Sequence, residues 1–143
     1  MKNVLVTGAE GQLGLSLKKI ASNFTQYNFI YTDKDNLDIC KEEELKAFFK
    51  NNNLYCVLHF AAYTAVDKAE QEESLAEEIN SKATLNIAKL CAEHKTRLVY
   101  ISTDYVFEGK DCKPHSTQEK TSPLSVYGKT KLKGEENCLE NNP

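Results

Sequence analysis

The feature that most constrains this chain of 143 residues is a glycine-rich loop that lies between a strand pattern and a helix pattern. Residues 3–7 are a short β-branched and apolar run, which predicts a buried strand, and a helical spacing of leucine and isoleucine begins at Gln12. Gly8, Gly11 and Gly14 join the two. A loop without Cβ atoms lets a diphosphate approach the backbone, and the following helix N-terminus offers free N–H groups and a positive dipole end. This segment therefore predicts a dinucleotide-binding turn.

Beyond this loop, strand and helix patterns alternate to the end of the sequence. Further strands are predicted at residues 27–32, 55–60 and 97–102, and helices at residues 12–23, 42–50, 75–93 and 125–140. Such alternation is typical of βαβ units with right-handed crossovers, so we expect an α/β fold with a Rossmann-type, doubly wound parallel sheet. A complete dinucleotide fold has about six strands, so this one is expected to be truncated after the fourth strand and its following helix.

Composition excludes several classes of function. The formal net charge of −3 leaves no basic footprint for nucleic acid, and no apolar run is long enough to cross a membrane. The cysteines are spread along the chain without a CxxC pair, which favours neither a disulfide framework nor a zinc site and indicates a reducing, cytoplasmic setting. They are Cys40, Cys56, Cys91, Cys112 and Cys138. We therefore expect no metal site, no nucleic acid partner and no membrane segment.

An acidic residue follows the second predicted strand. Asp33 could accept hydrogen bonds from both hydroxyls of an adenosine ribose, which favours NAD. The segment is rich in acids, so Asp33 could equally be a solvated loop residue. Lys34 beside it could instead meet the 2′-phosphate of NADP. The sequence leaves the choice between NADH and NADPH open.

A tyrosine and a lysine are spaced for one face of the last predicted helix. Tyr127 and Lys131 stand at positions i and i+4, a pair that is also common on solvated helices. Carbonyl reduction needs a proton donor, and an ammonium group beside a phenol lowers the phenol's pKa from its usual ~10. Thr103 adds weight, because it follows the fourth predicted strand, and ligands of open α/β sheets bind outside the carboxyl ends of strands. Its hydroxyl could donate to a substrate oxygen and orient Tyr127.

The third predicted strand ends in small residues. Ala61 and Ala62, followed by Tyr63, leave room for a flat cofactor, or pack a tight turn. His59 lies inside the strand and is expected to be a core histidine with satisfied hydrogen bonds rather than a catalyst. The other histidines are expected at the surface: His94 and His115.

Together these motifs resemble the extended short-chain dehydrogenase/reductase superfamily. The motifs are Gly8-x-x-Gly11-x-x-Gly14, Ala61-Ala62-Tyr63, Ser102-Thr103-Asp104-Tyr105 and Tyr127-x-x-x-Lys131. The longer segments at residues 59–70, 102–109 and 123–135 are similar to one of its families, the dTDP-4-dehydrorhamnose reductases. The resemblance runs from residue 1 to about residue 136.

The resemblance implies reduction of the C4 ketone of dTDP-4-dehydro-L-rhamnose by NADPH or NADH, giving dTDP-L-rhamnose for cell-surface polysaccharide. It implies that Tyr127 is the proton donor, Lys131 its pKa partner and ribose anchor, and Thr103 the tuning hydroxyl. Thr103 and Asp104 would contact the sugar nucleotide. The implied cofactor-binding residues are Gly8, Gly11, Gln12, Leu13, Gly14, Asp33, Asp38, Ile39, Ala61, Ala62, Tyr63, Tyr127 and Lys131.

The resemblance also implies a division of labour. Residues 1–143 correspond to the N-terminal NAD(P)-binding Rossmann domain, and the C-terminal lobe that closes over the dTDP-sugar is expected to be absent. Magnesium is associated with that lobe in some members, so none is expected in this chain. By itself the chain is expected to bind a cofactor at most weakly, to be inactive, and to self-associate through the exposed edge of its fourth strand or through exposed apolar surface.

Other functions of the same fold are compared by their motifs. Sugar-nucleotide dehydratases carry an acidic pair after the strand-four threonine, whereas here Asp104 is followed by Tyr105. Epimerases lack an aspartate after the hydroxyl residues, so Asp104 argues against that class. Another nucleotide-sugar reductase or epimerase nevertheless stays an alternative. A non-enzymatic alternative is a reductase-like subunit similar to the regulatory subunit of methionine adenosyltransferase, which has a similar Tyr-Gly-Lys-Thr-Lys run. The segment at residues 61–67 favours the reductase.

Overall fold

Strands and helices alternate along the chain in the computed structural model, which describes residues 1–110 and 113–142. The strands are β1 (Lys2–Thr7), β2 (Tyr27–Thr32), β3 (Leu54–His59) and β4 (Arg97–Tyr100). The helices are α1 (Gln12–Ile20), α2 (Glu42–Asn51), α3 (Val66–Ala69), α4 (Glu73–Glu77), α5 (Ala83–Glu93) and α6 (Val126–Asn141). A π-helical turn, Glu78–Lys82, links α4 to α5, and 3-10 turns lie at Ala21–Asn23 and Asp104–Val106.

The four strands form one parallel sheet in the order β2-β1-β3-β4. The register aligns the last residues of the strands, with Thr7 beside both Thr32 and His59, and His59 beside Tyr100. The loops that follow the four strands therefore all leave from the same end of the sheet, where the strands have their carboxyl ends. The order reverses between β1 and β3, which is where open α/β sheets bind ligands. The predicted α/β, Rossmann-type fold is confirmed.

Apolar side chains on both faces of the sheet hold the layers together. On one face, Leu5 and Val57 are fully buried against Leu45 of α2 and Ile87 of α5. On the other face, Val4 and Val6 pack with residues of α1 and a row of aromatic rings. The strands therefore read as nearly continuous apolar runs, as expected for a parallel sheet covered on both sides. Each fully buried Leu, Ile or Val contributes roughly 1.5–3 kcal/mol.

The structure differs from the sequence prediction at two elements. The single helix predicted at residues 75–93 is a chain of α4, the π-helical turn and α5, preceded by the unpredicted α3. β4 ends at Tyr100 rather than at Ser102, and the carbonyl of the next residue, Ile101, accepts a hydrogen bond from Lys131 of α6. β4 lies at an edge of the described sheet, as expected, with Val99 43% exposed.

Candidate active site

A cleft of about 860 Å³ lies across the carboxyl ends of the strands. Its walls come from the glycine loop, from the loops after β2, β3 and β4, and from α6. The predicted site residues that line it are Gly8, Gly11, Gln12, Leu13, Asp33, Asp38, Ile39, Ala61, Ala62, Tyr127 and Lys131. This volume is in the range of sites that hold a cofactor or a drug-sized ligand.

Gly8 shapes the first turn of the cleft. Its φ of +64° is strained for any residue with a Cβ, and a Cβ there would lie 2.6 Å from the backbone nitrogen of Ala61. The chain then enters α1 through Gly11, which supplies no side-chain cap. The first N–H groups of α1, which have no partner within the helix, are therefore not capped by a side chain, and they meet the cleft together with the positive end of the helix dipole. This geometry suits a diphosphate.

Gly14 has a packing role behind this loop. It is buried and does not line the cleft, and a Cβ on it would clash with the backbone of Ala9. Its absence of a side chain lets α1 lie close to the loop that follows β1. Gly14 therefore supports the cofactor turn through close packing under the loop, and its direct contact with a cofactor stays a prediction.

Asp33 is fixed at the end of β2. Its two carboxylate oxygens accept hydrogen bonds from the backbone N–H groups of Glu10 (3.0 Å) and Lys34 (2.9 Å). The carboxylate therefore ties the β2 end to the glycine loop while it lines the cleft. Asp38 is held similarly, because its Oδ1 accepts a hydrogen bond from the backbone N–H of Cys40. The predicted adenosine end of the cleft is thus acidic, with Lys34 as a basic residue beside it.

Lys131 is a buried base at the opposite end of the cleft. It is 3% exposed, its Nζ donates to the carbonyl of Ile101 (2.6 Å), and Nζ stands 4.1 Å above the ring of Tyr100. Burial lowers the pKa of Lys131 to about 8, because the charged form loses hydration. An ammonium held here faces the cleft beside the helix turn that carries Tyr127.

Tyr127 lies in the first turn of α6, which is firmly anchored. The N-cap Ser125 accepts a hydrogen bond from Gly128 N (3.0 Å), and Glu70 accepts one from Val126 N (2.8 Å). The half-buried ring of Tyr127 lines the cleft and meets the ring of Tyr105 edge-on at 5.5 Å. Helical geometry puts Tyr127 and Lys131 on the same face, as predicted from their spacing. Together they can offer a proton and a positive charge to one bound group.

Besides Gly14, three predicted residues do not line the cleft. Thr103 caps the 3-10 turn instead, because its Oγ1 accepts from Tyr105 N (3.3 Å) and donates to Asp104 (3.4 Å). Of the two adjacent hydroxyl residues after β4, Ser102 lines the cleft and Thr103 does not, and neither does Asp104. Tyr63 does not line the cleft in this structure, and its predicted contact with a cofactor stays a prediction. Its hydroxyl donates to Glu72 (2.6 Å). Its ring packs on the apolar cluster under α6, which consists of Ala69, Ala76 and Val126.

Asn80 is an organising residue that the sequence reasoning missed. It is 1% exposed in the π-helical turn, and its amide bonds both the N–H and the carbonyl of Tyr63 (2.8 and 3.1 Å). The same amide donates to Thr130 Oγ1 (3.1 Å) of α6. It therefore fixes the loop after β3 to the helix that carries Tyr127. A lone amide among apolar positions of a helix was the available signal, since buried polar groups are almost always hydrogen-bonded.

His59 is a core histidine, as predicted. It is 1% exposed, and its ring nitrogens are within hydrogen-bond distance of Thr7 (2.7 Å) and Thr84 (3.1 Å). Burial, and secondarily the charge of Lys131, lower the pKa of His59 to about 3, so the ring is neutral. Of the other two histidines, His94 is exposed as expected, whereas His115 is half-buried because its ring stacks on Phe107 at 4.3 Å.

Within residues 1–110 and 113–142, no group of three or more His, Cys, Asp or Glu side chains is placed to hold a metal ion. No helix in the same ranges is long and apolar enough to cross a membrane. The described cysteines are free thiols, and Cys112 lies outside the described residues.

Known proteins are similar to this chain in both sequence and fold. A family model described as "RmlD substrate binding domain" matches residues 1–143. A dTDP-4-dehydrorhamnose reductase of Aggregatibacter actinomycetemcomitans is 34% identical over 143 residues, which are 100% of this chain and 49% of that protein.

Two solved structures of dTDP-4-dehydrorhamnose reductases are similar over 99% of this chain and 50% of theirs. The Clostridium acetobutylicum protein is 38% identical with a TM-score of 0.94. The Bacillus anthracis protein, solved in complex with NADP, is 37% identical with a TM-score of 0.93. The chain therefore spans about half the length of the relatives that it matches.

Proposed function

This chain belongs to the RmlD substrate-binding domain family, and we propose that it is the cofactor-binding and proton-donating part of an NAD(P)H-dependent reductase. The proposed reaction converts the C4 ketone of dTDP-4-dehydro-L-rhamnose into the alcohol of dTDP-L-rhamnose. The observation that carries the proposal is one cleft with the glycine loop at one end and Tyr127 and Lys131 at the other. The identity of the sugar nucleotide rests on the names of the relatives.

The residues of the cleft fit a nicotinamide dinucleotide. The missing Cβ at Gly8 and the free N–H groups of α1 leave space and hydrogen-bond donors for a diphosphate. The fixed carboxylate of Asp33 would hold the adenosine ribose, and Lys131 would hold the nicotinamide ribose. When bound, NADH or NADPH would supply a hydride to the substrate carbon.

The reduction adds a hydride to C4, moves the π electrons of the carbonyl to its oxygen, and requires a proton on that oxygen. The phenol of Tyr127 would donate this proton, and the resulting phenolate would regain one from water. The ammonium of Lys131, on the same helix face, would stabilise the phenolate and so favour proton release near neutral pH. Its burial strengthens that effect, because a charge acts further in a medium of low dielectric constant.

The sugar nucleotide would contact the 3-10 turn Asp104–Val106. We assign Thr103 and Asp104 to this contact, because the ring of Tyr105 in the same turn meets the ring of Tyr127. Thr103 would tune the carbonyl oxygen only after its hydroxyl leaves the turn, while Ser102 already lines the cleft. Residues 1–143 would form the NAD(P)-binding domain, and further contacts to the dTDP-sugar would come from a second part of the kind that makes up half of the relatives' length.

A chimeric protein tests this function. Residues 1–143 of this chain would replace the matching half of the Clostridium acetobutylicum reductase, and NADPH oxidation would be followed with dTDP-4-dehydrorhamnose. Tyr127→Phe should keep cofactor affinity, because the ring remains, and lose about 10²–10⁴-fold in turnover, the usual contribution of general acid catalysis. Tyr55→Phe is the matched control, because it removes a phenolic hydroxyl near the start of β3, away from the cleft.

The outcomes separate the parts of the proposal. A chimera that binds NADPH but does not reduce the sugar would retain the cofactor site and reject the substrate. Near-normal turnover in Tyr127→Phe would remove Tyr127 from the role of proton donor. A chimera that folds cooperatively but binds neither NADH nor NADPH would contradict the proposed function as a whole, and would favour a binding role for this fold.

A further inference from the structure

Glu135 extends the row of chemically active residues on α6. It stands one turn beyond Lys131 and two turns beyond Tyr127, so all three share one face of the helix. Its side chain is half-buried, and its Oε1 accepts a hydrogen bond from the hydroxyl of Ser102. Ser102 itself lines the cleft. The reaction described above gives Glu135 no role.

Two consecutive residues after β4 are bonded to this face of α6. The carbonyl of Ile101 accepts from Lys131 Nζ at 2.6 Å, and the hydroxyl of Ser102 donates to Glu135. The second bond therefore holds in place the peptide segment whose carbonyl orients the buried ammonium. If the Ser102 contact were lost, the Ile101 carbonyl would be free to move away from Lys131.

Glu135 is also the negative charge in the surroundings of Lys131. On the neighbouring strands, His59 is neutral, and burial raises the pKa of Tyr100, so its phenol is uncharged. On α6, burial raises the pKa of Cys138 to about 11, so that thiol is also uncharged near neutral pH. Among the described groups that act on Lys131, Glu135 is thus the one that favours the ammonium as an ionised carboxylate.

We propose that Glu135 is a positioning residue that holds the Ile101-Ser102 segment against α6 and keeps Lys131 charged beside Tyr127. The importance of this for catalysis rests on the proposed function of Lys131. The protonation of Lys131 itself can be measured without any cofactor, so the two ideas fail separately.

The test measures the pKa of Lys131 by carbon NMR on the chain labelled with ¹³C-lysine, with Lys131→Met to assign the signal. Glu135→Gln keeps the size and an acceptor oxygen but removes the charge. It should lower the measured pKa of Lys131 by roughly half to one pH unit, toward the small end of what a nearby opposite charge does. Glu136→Gln is the matched control, since Glu136 pairs with Lys133 on the exposed side of α6.

Ser102→Ala provides a second, milder variant. It leaves the charge of Glu135 but frees the carboxylate to turn toward solvent, so the pKa of Lys131 should fall in the same direction by a smaller amount. An unchanged Lys131 pKa in both Glu135→Gln and Ser102→Ala would overturn the proposal. An equal fall in Glu136→Gln would also overturn it, because any charge on α6 would then suffice.

Cofactor affinity links the proposal to function. In Glu135→Gln the affinity for NADH should decline at a lower pH than in the unaltered chain, whose decline should centre near the Lys131 pKa of about 8. If the Lys131 pKa falls as expected but Lys131→Met binds NADH normally, the positioning role stands and the ribose contact is wrong. If the Lys131 pKa does not respond to Glu135, the positioning role is wrong whatever the cofactor does.

Discussion

Replacing Lys131 by methionine should change the pH dependence of stability in a direction that the structure determines. Methionine has a similar length and can occupy the same buried space without a charge. Burial lowers the pKa of Lys131 from 10.5 to about 8, which means that the folded state gives up this proton more easily than the unfolded state. Between about pH 8 and 10.5 the unfolded chain binds more protons, so the free energy of unfolding rises with pH.

The magnitude follows from the same pKa values. At about 1.4 kcal/mol per pH unit, the fall to about 8 corresponds to a penalty of about 3 kcal/mol on the folded, charged form. At pH 7 the methionine variant escapes that penalty but loses the bond to the Ile101 carbonyl, a kind of charge-assisted bond worth about 1.5–3 kcal/mol. The two effects nearly cancel, so the variant should be within about 2 kcal/mol of the unaltered chain at neutral pH.

Urea unfolding at a series of pH values measures this difference. Relative to Lys131→Met, the unaltered chain should gain up to about 3 kcal/mol as the pH rises from about 8 to 10.5. Groups common to both proteins cancel in the comparison. Lys129→Met, at an exposed position of the same helix, should show no such trend. A stability difference that does not change with pH would refute the reasoning, because Lys131 would then be as well hydrated in the fold as outside it. Lys131→Met should also bind NADH more weakly than the unaltered chain.

Three further predictions concern the cofactor, the core and the sheet edge. Asp33→Ala should raise the affinity for NADPH relative to NADH by removing a carboxylate that would repel a 2′-phosphate; an unchanged ratio, or an equal effect from Asp35→Ala, would show that Asp33 does not face the ribose. Because burial lowers the pKa of His59 from 6.5 to about 3, acid should destabilise the fold as the pH falls from 6.5 toward 3, by up to about 5 kcal/mol, and His59→Gln should flatten this dependence in urea unfolding. The chain should self-associate through the edge of β4, and light scattering should show that Val99→Lys weakens the association. A stable monomer at micromolar concentrations would contradict this expectation.

The sequence by itself determined the order of the elements. Strands buried on both faces are apolar runs, and the helices that cover them have apolar residues at helical spacing. Both kinds of element can therefore be predicted from a short stretch of sequence. The glycine loop could also be predicted from the sequence. The left-handed φ of Gly8 and the close approach of Ala61 exclude a side chain at this position, so the requirement is visible as a glycine. The i, i+4 spacing placed Tyr127 and Lys131 on one face of α6 without any knowledge of the rest of the fold.

Tertiary structure decided which side chains face the cleft. Ser102 and Thr103 are adjacent hydroxyl residues just beyond the end of β4, and no local sequence pattern predicts which one lines the cleft. Beyond β4, the carbonyl of Ile101 is bonded to Lys131 and the hydroxyl of Ser102 to Glu135, both on α6, which is distant in sequence. Tyr63 turned away for a similar reason, because Glu72 and the apolar cluster under α6 hold it. Such orientations are set by hydrogen bonds and burial between residues far apart in sequence, and these exist only once the layers have packed.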